Sequence, residues 1–190
     1  MIFPPMHPKE EDRLRIVSET GLVNNSEESE YDKFVKIASY IADVPIAIFS
    51  IVGLDTQWFR AKIGIDAFET PKNVSFCGHA IVNPDEPLLV EDALFDMRFC
   101  DNPLVINDPG IRFYAGFPIC HSKENLPIGT ICVIDRKPRI LDQRQIEALK
   151  DLGKLMESHL NSSVKIRRLN EINSNMHIPV KSGSRSVFKK

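Results

Sequence analysis

Two hydrophobic rhythms divide this chain. Tyr31, Phe34, Val35, Ile37, Ala38 and Ile41 recur at three and four spacing, as do Ile146, Leu149, Leu152, Met156, Leu160 and Val164. One apolar stripe along a 3.6-residue period predicts a helix over 26–43, with Ser26 and the glutamates behind it as its start, and a longer helix opening at Leu141-Asp142. A weaker stripe of Leu14, Val17 and Leu22 behind early acids predicts a first helix over 9–22. The segment 46–52 is a continuous β-branched apolar run, the mark of a strand covered on both faces. After the turn at Gly53 to Thr56, residues 57–63 alternate, with Trp58, Arg60 and Lys62 opposite Phe59, Ala61 and Ile63, so these two segments form an antiparallel hairpin. A loop over 64–74, a short helix from an N-cap at Ser75 through 81, and a short strand over 88–90 follow. Residues 91–109 show no period and read as a long connection of the kind that carries function. Strands over 113–120 and 128–135, joined by a polar loop, precede the last helix.

Helices at both ends around a mainly antiparallel sheet make an α+β fold. This pattern divides the chain into an N-terminal arm over 1–8, one domain over 9–160, and a helical extension with a disordered basic tail over 161–190. The last helical stripe falters at Asn161-Ser162-Ser163 and resumes out of register at Ile166, Leu169 and Ile172. Its second half is therefore expected to project. Exposed apolar residues at that spacing want a partner, which predicts a symmetric homodimer through these segments and the N-terminal helix around Leu14 and Val17.

A chain of 190 residues with 43% hydrophobic and 26% charged residues builds one core and is neither collagen-like, coiled coil alone nor wholly disordered. Lys+Arg at 24 against Asp+Glu at 26 lacks the electrostatic footprint of a dedicated nucleic-acid binder. The balance hides an asymmetry: residues 1–150 hold 16 basic and 23 acidic groups, and 151–190 hold 8 and 3. No stretch approaches the roughly 20 apolar residues of a membrane span. The N-terminus carries prolines and acids where an export signal needs a basic end and an apolar run, so a cytoplasmic setting and four reduced cysteines are expected.

The candidate chemistry lies beside the long connection. Cys77 and His79 form one close pair where a structural zinc site needs two, so a buried thiol and a hydrogen-bonded histidine are the simpler reading. Arg98 follows Asp92 and Asp96. Its fork suits an anionic ligand, or it pairs with one of those acids to hold the loop. Trp58, Phe76, Phe99, Phe113 and Tyr114 are the aromatics around a pocket, and alternation places Phe113 and Tyr114 on opposite faces. The ligand contacts expected are Trp58, Phe76, Cys77, His79, Asp92, Arg98 and Tyr114, with no catalytic or metal-binding residue and no nameable cofactor.

The blocks PIAIFSIVGLDTQWFRAKIGI (45–65), ETPKNVSFCGHAI (69–81), LLVEDALFDMRFCDNPLV (88–105), IRFYAGFPI (111–119), IGTICVID (128–135) and PRIL (138–141) resemble the successive blocks of GAF domains. The resemblance is to the sensory modules found beside histidine kinases and diguanylate cyclases. It implies a central antiparallel sheet, helices on one side, a loop-covered pocket on the other, and a non-enzymatic dimeric sensor acting through a signalling partner. The nucleotide signature of phosphodiesterase GAF domains is not recognisable, and the bilin-anchoring Cys-His neighbourhood of phytochromes is missing. One stand-alone branch reduces free methionine-R-sulfoxide with cysteine chemistry, which is the enzymatic alternative; a purely structural dimerisation domain is the third.

Overall fold

The computed structural model describes residues 1–23, 30–121 and 124–176. Its strands in chain order are β1 (Ile46–Val52), β2 (Thr56–Ile63), β3 (Glu69–Pro71), β4 (Leu88–Val90), β5 (Phe113–His121) and β6 (Leu126–Asp135). They form one sheet in the order β3-β2-β1-β6-β5-β4, each neighbour antiparallel to the next. Both β1 and β6 are buried at every position because they are central and covered on both faces.

The helices are α1 (Glu10–Thr20), α2 (Asp32–Ala42), α3 (Phe76–Ala80), α4 (Pro103–Ile106) and α5 (Gln143–Met176). Against one face of the sheet, α1, α2 and α5 bury Ile16, Val17, Val35, Ala38, Leu149, Leu152, Met156, Leu160 and Val164 onto Phe49, Ile51, Phe113, Phe117 and Ile131. Against the other face lie α3 and the long connection with α4, where Phe76, Cys77 and Phe99 meet Ile46, Ile48, Tyr114, Cys132 and Ile134. The α+β class and the helices-on-one-side arrangement follow the sequence reading.

Several details depart from it. The stretch 64–74 holds the edge strand β3 and a 3-10 turn at Lys72–Val74, because Thr56, Gln57 and Trp58 find backbone partners in Pro71, Thr70 and Glu69. A bulge interrupts the alternation of β2: Ser50 pairs with Phe59 and Phe49 with Ala61, leaving Arg60 as the extra residue. Trp58 and Ala61 consequently share the helix-covered face, while Phe59 faces the other core. The long connection over 91–109 is not wholly irregular: Asn102 caps the N-terminus of α4 and Pro103 takes its first position, where its missing N–H costs nothing.

The polar triplet 161–163 does not interrupt α5. Asn161 Nδ2 donates to Glu157 O at 2.6 Å and Ser162 Oγ to Ser158 O at 2.9 Å, so the polar side chains where the apolar stripe falters bond back to the helix's own carbonyls. Val164 is still buried, and Arg167 Nη1 donates to Thr20 O at 2.7 Å, tying the helix back to α1. Val17 is buried inside its own domain and offers nothing to a second copy. The helix start at Ser26 and the tail beyond 176 lie outside the described residues.

Candidate functional site

The site is built on the sheet face that the long helices leave free. Ser75 Oγ accepts the Gly78 N–H at 2.9 Å, which starts α3 and sets Phe76 and Cys77 against the sheet. Phe76 stacks on Phe99 with centroids 4.0 Å apart and lies 5.0 Å from the Tyr114 ring. Opposite, Asn102 anchors the long connection: its Oδ1 accepts from Leu104 N and its Nδ2 donates to Val74 O, both at 2.9 Å. Between these supports and the sheet lies a cavity of about 40 Å³. Ile48, Phe59 and Ile134 rise from the strands; Leu104, Pro109 and Ile111 form the lid; Phe76, Cys77, Tyr114 and Cys132 close the end under α3. No charged side chain lines it.

Two polar atoms at this wall are buried without a hydrogen-bond partner, Gln57 Oε1 and Thr70 Oγ1. They are neighbours across the β2–β3 ladder. Such orphaned groups are expensive unless a ligand or water meets them.

At the α3 end, Tyr114 donates its hydroxyl to Cys77 Sγ at 3.3 Å, and the Cys77 and Cys132 sulfurs are 3.9 Å apart. Burial opposes ionisation of Cys77, but hydrogen bonds from Cys132, Ser50, Thr130 and Tyr114 outweigh it and draw the thiol below its ordinary range. Its hydrogen bond to Cys77, together with burial, pushes Cys132 well up.

Of the seven residues expected at a ligand, Phe76, Cys77 and Tyr114 are brought together on the cavity wall. Trp58 pairs with Ile51 and shares its helix-covered face. His79 lies on the outer side of α3, edge-on to Phe99 at 4.9 Å, with Nε2 3.1 Å from Ile2 O. Burial lowers its pKa. Arg98 grips Asp96 with a two-pronged fork at 2.9 and 2.6 Å, which holds the Asp96 carboxyl below its usual range. Asp92 is held by Arg112 instead, with Nε to Oδ1 at 2.7 Å. Both forks brace the long connection, and neither points an unpaired cation into the cavity.

Sequence reasoning missed Gln57, Thr70, Asn102 and Arg112. Asn102 before Pro103 is a legible cap signal; the other three depend on pairings distant in sequence. Among the described residues, no three of His, Cys, Asp and Glu come together as a metal cluster, and no helix is long and apolar enough to cross a membrane.

Comparison with known proteins agrees with this architecture. A family model for the GAF domain matches residues 26–160. A cyclic di-GMP phosphodiesterase of Pseudomonas aeruginosa is 37% identical over 163 residues, spanning 85% of this chain but only 27% of that protein's length. Among solved structures, the blue-light absorbing form of the PixJ GAF domain of Thermosynechococcus elongatus aligns with a TM-score of 0.60 at 12% identity, covering 87% of this chain and 95% of that one. The free methionine-R-sulfoxide reductase of Neisseria meningitidis aligns with a TM-score of 0.58 at 13% identity, covering 86% and 99%. At such low identity the two structures attest the fold, whereas the family match spans most of the chain: this protein belongs to the GAF domain family.

Proposed function

We propose that this chain is a non-catalytic sensory domain that binds a neutral, largely apolar small molecule in the cavity between β1, β2, α3 and the long connection. The observation that carries this reading is the pair of orphaned polar atoms, Gln57 Oε1 and Thr70 Oγ1, in an otherwise apolar wall without charge. An apolar body with one hydrogen-bonding edge satisfies both features, and an anion finds no cation there. A cavity of about 40 Å³ holds two or three waters. A metabolite therefore displaces the lid at Leu104, Pro109 and Ile111, which rests on the Asn102 anchor, and lid movement is the event a sensor transmits.

Signalling is the setting that the similarity to the cyclic di-GMP phosphodiesterase supports, with this domain in a regulatory part. Output passes along α5, whose 34 residues extend about 50 Å. Leu155, Ile166, Leu169 and Ile172 on that helix are exposed, and a second copy covering them makes the homodimer through which a signalling partner is reached.

Mass spectrometry of gently purified chain under native conditions tests the ligand. A neutral molecule should co-purify, and Leu104→Trp, which fills the cavity from the lid, should lose it. An anionic ligand, or one retained by Leu104→Trp, overturns the reading. Free methionine sulfoxide carries both an ammonium and a carboxylate, and the cavity wall pairs neither. A thiol-coupled assay should accordingly show no turnover of it.

A further inference from the structure

The two thiols at the α3 end of the cavity are not placed as isolated core cysteines. Cys77 on α3 and Cys132 on β6 are 55 residues apart in sequence, yet their sulfurs point at each other across 3.9 Å. Both are nearly inaccessible from outside, at 2% and 1% exposure, but both border the cavity. Tyr114 donates a hydrogen bond to Cys77 from the facing strand. Ser50 and Thr130, whose hydroxyls are 3.2 Å apart, also favour its thiolate. A hydroxyl donor meets one sulfur while the second thiol is its neighbour, which is the arrangement of an attacking and a resolving thiol.

We infer that Cys77 and Cys132 are a reversible oxidation site, converted to an intramolecular disulfide by hydrogen peroxide entering through the cavity. The oxidant class follows from the space. Hydrogen peroxide is close to water in size and fits about 40 Å³, whereas a disulfide such as oxidised glutathione does not. The Cys77 thiolate attacks one peroxide oxygen, the O–O bond breaks, and hydroxide leaves and takes up the thiol proton as water, giving the Cys77 sulfenic acid. Cys132 sulfur then attacks Cys77 sulfur and the S–O bond breaks. Hydroxide departs with the Cys132 proton as a second water. Two thiols lose two electrons and one peroxide gains them. Closure from 3.9 Å to a bond of roughly 2.0 Å draws α3 toward β6, a small movement for a helix of five residues.

The other two cysteines provide internal controls. Cys100 is exposed on the long connection, and Cys120 is held by burial, with the nearby Glu157 and Asp85 charges, at about 12. Full-length reduced chain is treated with stoichiometric hydrogen peroxide, the remaining thiols are alkylated under denaturing conditions, and peptides are mapped. The expected product has lost two hydrogens, links the Cys77 and Cys132 peptides, and regains both thiols with dithiothreitol; oxidised glutathione at equal concentration does not form it. Cys132→Ser should leave a Cys77 sulfenic acid trapped by dimedone, and Cys132→Ala repeats the measurement if the serine variant fails to fold. The inference is overturned if oxidation falls on Cys100 alone, if both buried thiols stay alkylatable, or if Cys77 over-oxidises while Cys132 remains free in the wild-type chain.

Discussion

The guanidinium of Arg13 donates from Nη1 to the backbone carbonyl of Val52 at 2.6 Å, joining the first helix to the last residue of β1. Arg13 is wholly buried, its Nη2 also reaches Gly53 O at 3.3 Å, and its Nε is held by Glu10 at 2.8 Å. Glu10 in turn accepts from Lys72 Nζ at 2.6 Å. One cation thus seats α1 over the β1–β2 turn, next to the strand that carries Gln57.

Truncating Arg13 leaves two buried carbonyls unpaired and Glu10 with only Lys72. Arg13→Ala should cost about 3 kcal/mol of stability, and Arg13→Lys should recover less than half, because an ammonium on a shorter reach cannot serve acceptors on both sides. Urea unfolding of the three chains checks this. Equal midpoints would refute the role of the buried guanidinium.

Glu10 also sets an acid limit. Burial resists its charge, but hydrogen bonds from Arg13 and Lys72 outweigh it and hold the carboxyl at about 2, against 4.5 when free. A carboxyl depressed in the folded state contributes stability that is fully present above pH 4.5 and is lost as pH falls toward 2. Glu10→Gln should be less stable at neutral pH and should lose less of its remaining stability over that interval. Urea midpoints across the range measure both. Parallel pH curves for the two proteins would remove Glu10 from the mechanism.

The orphaned groups on the cavity wall predict a substitution that helps the empty protein and harms the sensor. Gln57→Leu removes an unsatisfied buried polar group at similar volume, so it should stabilise the ligand-free chain by about 1 kcal/mol. Thr70→Val should act in the same direction by less. Both should weaken capture of the co-purifying molecule. Thermal melting of ligand-free protein, followed by native mass spectrometry, reads the two effects. A destabilised Gln57→Leu with undiminished ligand would defeat the assignment.

The proposed homodimer uses the outer stripe of α5. Replacing Ile166 and Leu169 with Glu places charge in the apolar contact and should convert a dimer to a monomer in sedimentation, with little change in the melting temperature of the domain. The positions are exposed, so the substitution spares the core. Truncation at Asn161 is a poorer test, because it removes Val164 from the core and Arg167 from Thr20. A wild-type chain that sediments as a monomer would settle the matter against dimerisation.

Much of the fold was legible from neighbouring residues alone. The helical stripe from Ile146 to Val164, the doubly buried run of β1, the cap at Ser75 and the opposite facing of Phe113 and Tyr114 are consequences of local period and local hydrogen bonding, and all appear as read. Strength of period matters here: α2 and the first half of α5 carry clear stripes, whereas the three-residue β3 has no period to read and exists only because β2 offers it an edge.

The candidate site depended on relationships that no local pattern encodes. Whether Trp58 faced the cavity turned on its register against β1, because its partner Ile51 lies on the helix-covered face, and the bulge at Arg60 then returns Ala61 to that same face. Asp92 and Arg98 were visible as a charge cluster, but Asp92 found its partner at Arg112, 20 residues on, and left Arg98 to Asp96. Gln57 and Thr70 are ordinary polar residues in the sequence and become orphaned only when an apolar wall closes around them. The sulfurs of Cys77 and Cys132 meet because α3 is laid on β6. Sequence alone determined the elements, their order and the two-faced sheet, since these follow from periods of two and 3.6 residues. Tertiary structure decided which side chains meet, because pairing across strands and the closure of a cavity are set by partners tens of residues away.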